Sequence, residues 1–268
     1  ESITKLFLAG VIPGLVLAGL FMTYIIGWHY LRPGERPKPE PSMSFAKMLK
    51  DSRFLAPVMA LVFIVIGSMY FGWATATEAA AVGVIGALAL ALVQRSLTRE
   101  TFFASLMGAT RTSAMIALIL MGASFLSLSM GFTGLPRALA GWIDSMDLSP
   151  IVLIAALTVF YIILGMFLDG ISSVVLTMAI VEPMIRQAGI DVIWFGVFVV
   201  VVVEMAQVTP PIGFNLFVLQ GMTKHEISYI ARTAIPMVGL MVLMVVILVI
   251  WPELATWLPD NVRQGPRG

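Results

Sequence analysis

The 268-residue chain contains no cysteine. This absence excludes disulfides, thiolate catalysis, Cys-ligated zinc and iron–sulfur clusters. Charge is also scarce, because Asp, Glu, Lys and Arg together make up 12% of the chain, about half of the roughly 25% usual in soluble domains. Sixteen Lys and Arg oppose fifteen Asp and Glu, for a net charge of +1. No basic tail or stripe is present, so we expect no nucleic-acid partner.

Apolar residues take the place of the missing charge. They make up 59% of the sequence, and the mean hydropathy is +0.99. A membrane-spanning helix needs about 20 largely apolar residues, and stretches of this kind recur along the chain. The composition therefore predicts an all-α polytopic membrane protein whose surroundings are a lipid bilayer. The chain starts at Glu1 without a signal-peptide pattern, and we expect it to be part of a longer polypeptide.

The order of apolar and polar stretches divides the chain into five predicted parts. They are 1–32 with a first span, 33–53 with a loop and interfacial helix, 54–146 with spans and amphipathic helices, 147–222 with a hairpin and a broken helix, and 223–268 with a connector, a last span and a tail. Within them we expect interfacial or amphipathic helices at 44–53, 99–111 and 135–146, a span at 112–132, a connector at 223–232 and a span at 236–251. Six Lys and Arg lie in 32–53, which places this loop in the cytoplasm by the positive-inside rule.

The apolar stretch 151–168 runs into a polar, glycine-bearing tip around Asp169 and then resumes. Its second limb, Ser172 to Pro183, has about twelve residues, or about 18 Å of helix. Because the hydrocarbon core is about 30 Å thick, this limb is too short to span, and a re-entrant hairpin is predicted. The alternative is a surface loop in which Asp169 and Ser172 cap the next helix.

A second interruption is Thr209-Pro210-Pro211, since adjacent prolines cannot lie inside an unbroken helix. The alternative is a kink without a ligand. Non-helical backbone at membrane depth is costly unless it lines a cavity or binds a ligand, and paired interruptions mark the substrate and ion sites of secondary transporters. Hard oxygen donors suited to a small alkali cation lie nearby. They are the hydroxyls of Ser173, Thr177 and Thr209 and the side-chain amide of Asn215.

Two acidic residues lie in apolar surroundings. Glu78 follows Thr75 by three residues at the start of a span, which predicts a structural capping box. Glu204 lies deep in an apolar run, where an ionisable group is costly and often functional; a proton relay and a structural pairing are both open. Metalloprotease, serine hydrolase and P-loop motifs are absent, so an enzyme is a weak alternative. A passive ion or solute channel is a stronger one.

Five motifs in series resemble the large membrane subunit of the tripartite ATP-independent periplasmic (TRAP) transporters. They are Phe7–Gly14, Ala76–Ala81, Leu164–Gly170, Gly189–Val197 and Thr209–Asn215. Together they cover nearly the whole chain. The resemblance implies an elevator-type secondary transporter of the bacterial inner membrane, which imports C4-dicarboxylates or sialic-acid-like anions with sodium. It implies three partners: a periplasmic substrate-binding protein, a small four-helix membrane subunit, and a missing N-terminal half of the same subunit.

The resemblance also implies roles for particular parts of the chain. Residues 1–32 match the scaffold helix that ends the first of two inverted repeats, 54–146 match scaffold helices of the second repeat, and 147–222 match its transport domain. The residues implied for the sodium ion are Gly165, Asp169, Gly170, Thr209, Pro210 and Gly213. Those that we expect at the substrate are Ser172, Ser173, Thr177 and Asn215. The family's first hairpin is absent from this chain, so we do not expect the chain to transport alone.

Overall fold

A computed structural model describes residues 2–32, 55–134, 148–210 and 213–261, together with residues 47, 52, 138, 141, 142 and 145. Within these residues it bounds ten α-helices and no strand. The helices are α1 (Ile3–Leu31), α2 (Ala56–Tyr70), α3 (Ala76–Val93), α4 (Arg99–Thr133), α5 (Pro150–Gly165), α6 (Gly170–Gln187), α7 (Val192–Val208), α8 (Phe214–Thr223), α9 (Ile227–Ile250) and α10 (Glu253–Asn261). By length and composition, α1, α3, α4 and α9 are long and apolar enough to cross a membrane. The predicted fold class, an all-α polytopic membrane protein, is confirmed.

Several predicted boundaries do not coincide with helix ends, because helices continue where the sequence suggested a change. The predicted interfacial helix 99–111 and span 112–132 form one helix, α4, since no proline interrupts them. Most of the predicted connector 223–232 is already helical, because α9 begins at Ile227 and passes through Pro236. The interfacial helix expected at 44–53 and the amphipathic helix expected at 135–146 lie almost wholly outside the described residues.

Contacts divide the chain into two compact units, and residues 23–112 form one of them. In this unit α2 and α3 pack against each other. Thr75 caps α3, because its hydroxyl accepts a hydrogen bond from the backbone N–H of Glu78 at 3.3 Å. The Glu78 carboxylate in turn accepts one from the backbone N–H of Thr75 at 2.7 Å. This capping box confirms the structural interpretation of Glu78.

The other unit, residues 1–22 and 113–261, is built around α7. Helices α5, α6, α8, α9 and α10 all contact α7. The sequence of α7 explains this central place, since a helix that is apolar on all sides is favoured in a protein interior. The fully buried side chains of the unit include Tyr161, Ile185, Phe195, Phe198, Val202, Met205, Met244 and Leu248.

The first turn of α7 is fixed at both its backbone and its side chains. The Asp191 carboxylate caps the helix by accepting from the backbone N–H of Trp194 at 2.8 Å. The Trp194 ring stacks on Phe198 with centroids 5.5 Å apart. Its Nε1 donates to the carbonyl oxygen of Leu248 at 3.0 Å. These contacts tie the start of α7 to the end of α9.

Candidate functional site

Helices α5 and α6 form a helical hairpin, with residues 166–169 as the hairpin tip. The Tyr161 hydroxyl on α5 lies 2.8 Å from the Thr177 hydroxyl on α6. Thr177 donates its proton to the carbonyl oxygen of Ser173 at 2.7 Å, so Tyr161 donates in the bond between the limbs, since a hydroxyl has one proton. The structure thus contains a helical hairpin at the predicted place, and its re-entrant position in the membrane stays a prediction.

The second limb of the hairpin is longer than the predicted Ser172–Pro183. α6 has 18 residues and contains Pro183. A proline removes one hydrogen bond from a helix interior. Here, an ion pair between Arg186 and Glu182 at 2.9 Å spans the following turn, and pairs at this spacing favour helix. Burial of Ile185 against the core also favours continuation.

Asp169 begins α6 as its N-cap. Its carboxylate accepts a hydrogen bond from the backbone N–H of Ser172 at 3.1 Å and another from the Ser172 hydroxyl. The alternative interpretation of Asp169 was a cap in a surface loop. Asp169 does cap the next helix, but it does so inside the hairpin. The carboxylate and the Ser172 hydroxyl are engaged with each other, which leaves the predicted roles of both residues at an ion or substrate as predictions.

Helix α7 ends at the predicted interruption, and residues 209–213 form the helix break. The Thr209 hydroxyl donates to the carbonyl oxygen of Met205 at 2.6 Å. The lone pairs of the hydroxyl oxygen of Thr209 therefore stay available to a cation or a hydrogen-bond donor. The Gly213 N–H donates to the carbonyl oxygen of Thr209 at 3.3 Å, and α8 then begins at Phe214. One backbone hydrogen bond thus links the two sides of the break, and the break lies where the sequence predicts it.

Glycines bring the hairpin and the break together around the last turn of α7. A Cβ added at Gly165 would lie 2.7 Å from the Cβ of Ala206, and one at Gly170 would lie 2.7 Å from Nε2 of Gln207. A Cβ at Gly213 would overlap the carbonyl of Gln207 and lie 2.9 Å from the carbonyl oxygen of Thr209. Real Cβ atoms do not approach other atoms so closely. The hairpin and the break can therefore lie against the end of α7 because these three positions are glycines.

The convergence assembles four helix ends. The C-terminal ends of α5 and α7 carry partial negative charge from their free carbonyls, which favours a cation. The N-terminal ends of α6 and α8 carry partial positive charge from their free N–H groups, which favours an anion. Cation-favouring and anion-favouring ends therefore lie side by side, at one place in the unit.

Two buried polar side chains, those of Ser173 and Gln207, lie next to this place. Ser173 is fully buried, and its Oγ makes no hydrogen bond. Gln207 is 8% exposed, and no hydrogen bond joins its side chain to any residue that the structure describes. Leaving a buried polar group unpaired costs about 1–3 kcal/mol. Groups kept at such a cost are candidates for contact with a ligand.

The structure brings together some of the predicted site residues and separates others. Gly165, Gly170, Thr209 and Gly213 lie around the end of α7, and Pro210 follows Thr209 in the break. Thr177 lies farther along α6, with its hydroxyl engaged by Tyr161 and Ser173. Asn215 is partly buried in the first turn of α8. The assignment of these residues to sodium or substrate stays a prediction.

Two residues at the site were missed by reasoning from the sequence. Gln207 is the clearer omission, because it is a polar residue in an apolar run just before the paired prolines. That position alone could have identified it. Tyr161 was missed because a tyrosine in an apolar run is typical of a helix core, and only its partner Thr177 shows what its hydroxyl does.

Glu204 does not lie in the protein interior as its apolar surroundings suggested. It is exposed on α7 and lines a groove with residues of α1, including Pro13 and Gly14. The apolar run around it reflects the central place of α7, whereas position 204 falls on the one face that opens to this groove. Its proposed relay or pairing role therefore has no partner among the described residues that line the groove.

A helical hairpin beside a broken helix, with opposing helix ends at one point, is the arrangement of a secondary-transporter membrane subunit. The sequence model of the family "Tripartite ATP-independent periplasmic transporter, DctM component" matches residues 1–254. The chain belongs to this family, and it is a multi-pass membrane protein. The family resemblance predicted from the five motifs is confirmed.

Individual relatives agree with this assignment. The chain is 33% identical over 261 residues to the C4-dicarboxylate TRAP transporter large permease protein DctM of Rhodobacter capsulatus, covering 97% of this chain and 58% of the relative. It is 30% identical over 268 residues to the sialic acid TRAP transporter large permease protein SiaM of Vibrio cholerae, covering 97% and 60%. It is 28% identical over 249 residues to the isethionate TRAP transporter permease protein DctMQ of Oleidesulfovibrio alaskensis, covering 92% and 39%.

The chain spans about 60% of the length of the large permeases that it matches. The relatives are named as permeases, so the family role is transport, and the prediction that the chain is not an enzyme is confirmed.

Proposed function

We propose that this chain forms part of the large subunit of a sodium-coupled secondary transporter that imports small organic anions across the bacterial inner membrane. C4-dicarboxylates and sialic-acid-like acids are the proposed substrates, since relatives are named for both. The observation that carries the proposal is the meeting of four helix ends at Gly165, Gly170, Thr209 and Gly213. It supplies opposite partial charges for a cation and an anion at one place.

The sodium ion is proposed to bind at the end of α7. The Thr209 hydroxyl oxygen and the carbonyl oxygens near Gly213 are hard, uncharged donors of the kind that alkali cations accept. The C-terminal ends of α5 and α7 add partial negative charge without a side-chain carboxylate. Gly165, Asp169, Gly170 and Pro210 complete the proposed ion site.

The organic anion is proposed to bind beside the ion, at the start of α6 and α8. Ser172 and Ser173 lie in the first turn of α6, and Asn215 lies in the first turn of α8. The unpaired Ser173 hydroxyl has the capacity to donate to a carboxylate. Thr177 is the farthest of the proposed contacts. Joint binding requires only a modest coupling between ion and anion, typically about 1–3 kcal/mol.

The proposed movement is an elevator motion, in which the hairpin and the broken helix shift as one body against scaffold helices. The tight packing of α5 and α6 on α7 supports this, since these elements share one core. Three partners are proposed: a periplasmic substrate-binding protein, a small four-helix membrane subunit, and the N-terminal half of the large subunit.

The first test is uptake of labelled C4-dicarboxylates and sialic acid into proteoliposomes. They should contain the complete large subunit and the small subunit, with the binding protein added outside. We expect uptake that needs both an inward sodium gradient and the binding protein. Flux that ignores both would favour the passive channel and remove the proposed ion site.

The second test is Thr209→Val, which removes one ion-binding oxygen and the bond to Met205. Loss of a polar contact to a charged group costs about 1.5–3 kcal/mol, so we expect the sodium concentration for half-maximal uptake to rise about 10-fold to 100-fold. Thr209→Ser should restore much of the response.

Thr233→Val is the matched control, because the Thr233 hydroxyl donates to a backbone carbonyl in the same way, to Tyr229 at 2.8 Å. This variant should keep the original sodium dependence. An equal sodium response in Thr209→Val and Thr233→Val would remove Thr209 from the ion site.

A further inference from the structure

A cavity of about 510 Å³ lies away from the hairpin tip, where α1 and α7 begin and α6 and α10 end. Charged side chains of both signs line it. The cations are Lys5 and Arg186, and the carboxylates are those of Asp191 and Asp260. The cavity thus offers two positive and two negative groups to one occupant.

Most of the hydrogen-bonding capacity of these groups is free. Lys5 is partly buried, and neither it nor Asp260 forms an ion pair with any residue that the structure describes. One oxygen of Asp191 accepts from the N–H of Trp194, which leaves its second oxygen. Arg186 donates from Nε and Nη2 to one oxygen of Glu182, at 3.0 and 2.9 Å. Because a guanidinium has five N–H donors in all, the others stay available.

An apolar groove lies beside this cavity along the same two helices. It has a volume of about 570 Å³ and is lined by Leu6 and Phe7 on α1 and by Gly196 and Val200 on α7. Leu6 directly follows Lys5, and Gly196 follows the cavity residue Ile193 by three positions, or about 4.5 Å of helix. The polar cavity and the apolar groove therefore lie next to each other, and together they offer a surface with a charged end.

We propose that this surface binds a phospholipid whose headgroup carries both a phosphate and a primary ammonium. Lys5 and Arg186 bind the phosphate, and Asp191 and Asp260 accept hydrogen bonds from the ammonium. Charge complementarity selects this occupant: an anionic headgroup would leave both carboxylates unpaired, and a quaternary ammonium has no N–H to donate to them. An acyl chain lies in the groove between α1 and α7.

The dimensions agree with this occupant. From Ile193 to Glu204, which lies at the far end of the groove, α7 rises by eleven residues, or about 16 Å. One leaflet of the hydrocarbon core is about 15 Å thick, half of the roughly 30 Å total. An acyl chain of one leaflet therefore ends before it reaches the Glu204 carboxylate. This proposal concerns a different cavity from the transport site and does not depend on sodium coupling.

The experiment is native mass spectrometry of the complete membrane subunit in detergent, titrated with phosphatidylethanolamine, phosphatidylcholine or phosphatidylglycerol. Hydrogen bonds to charged groups contribute about 1.5–3 kcal/mol. We therefore expect phosphatidylethanolamine to bind at least about tenfold more tightly than phosphatidylcholine or phosphatidylglycerol. Lys5→Glu and Asp260→Lys should each remove this preference. Arg232→Glu and Glu253→Lys are the matched controls, since neither residue lines the cavity, and both should keep it.

A second pair of variants tests the groove without changing charge. Val200→Trp fills the groove and should lower phosphatidylethanolamine binding about tenfold, whereas Val246→Trp, on an exposed face of α9 outside the groove, should not. A photoreactive amino acid at position 200 should cross-link to phospholipid in native membranes. Equal binding of the three lipids, binding unchanged by Lys5→Glu and Asp260→Lys, or a cross-link to polypeptide instead of lipid would each overturn the proposal.

Discussion

Two places in the molecule start a helix with a polar capping residue. One is the turn between α2 and α3, and the other is the junction of the hairpin with the helix break. At the first, Thr75 and Glu78 satisfy each other through a complete capping box. At the second, the Asp169 carboxylate accepts from both the backbone N–H and the hydroxyl of Ser172, but the neighbouring Ser173 hydroxyl is buried without a partner. A cap alone therefore does not indicate a binding site, whereas an unpaired buried polar group beside a cap makes the second junction a candidate for one.

Among variants that test this comparison, Gly213→Ala is expected to have the largest effect on uptake. The added Cβ would overlap the Gln207 carbonyl and crowd that of Thr209, and overpacking of this kind costs about 1–3 kcal/mol. We expect sodium-driven uptake to be lost almost completely, because the carbonyls that would face the ion must move. Uptake and thermal stability should be measured together in proteoliposomes and detergent.

Gly83→Ala is the control for this substitution, because its Cβ would meet only the side chain of Val65, at 3.3 Å, in the α2–α3 pair. This variant should retain uptake. Full uptake by Gly213→Ala would show that the close approach at the break has no part in transport.

Ser173→Ala is expected to separate function from stability. Removing a buried hydroxyl that has no partner relieves a cost of about 1–3 kcal/mol, so the melting temperature should stay equal or rise. Anion uptake should fall, with the main change in the half-saturating anion concentration. A variant that loses stability and keeps uptake would identify Ser173 as a packing residue.

Thr75→Ala should show the opposite pattern at the α2–α3 turn. Loss of an N-cap costs about 1 kcal/mol, and we expect a lower melting temperature with unchanged uptake per folded molecule. Thermal unfolding followed by circular dichroism, with uptake normalised to folded protein, measures both quantities. A change in sodium dependence would contradict the purely structural role of this cap.

The smallest effect is expected for Glu204→Gln. Glu204 is exposed in the groove between α1 and α7, and no described residue bonds to it, so uptake should stay within about twofold of the original at every pH. A pH profile that changes shape would restore the proton relay that its apolar surroundings suggested.

The two interruptions beside the candidate site were predicted correctly from the sequence, because backbone chemistry fixes their positions. Two adjacent prolines must interrupt α7, and a tip with Gly165, Asp169 and Gly170 must interrupt the apolar run before α6. Helix lengths were harder to predict, because Pro183 and Pro236 were each compatible with a helix end and both lie inside a helix. Tertiary packing and an i,i+4 ion pair decided for continuation, and neither is visible in local propensity.

Which buried groups lack partners could not be predicted from the sequence. The hydroxyls of Ser173 and Thr177 are alike in sequence, both on α6 near the tip. Only the fold places the Tyr161 hydroxyl against Thr177 and no partner against Ser173. Likewise, the exposure of Glu204 depends on which face of α7 the other helices leave uncovered.

The hydrogen bond between Tyr161 and Thr177 has a consequence for how the hairpin moves in time. It joins the limbs below the tip, so we expect any local opening of the hairpin to be limited to residues 162–176 while this bond is formed. Local opening takes place on timescales of microseconds to seconds. Amide hydrogens of residues 162–176 should therefore exchange with solvent faster than those on the other side of this bond, and Tyr161→Phe should extend the fast-exchanging stretch toward the bases of both limbs.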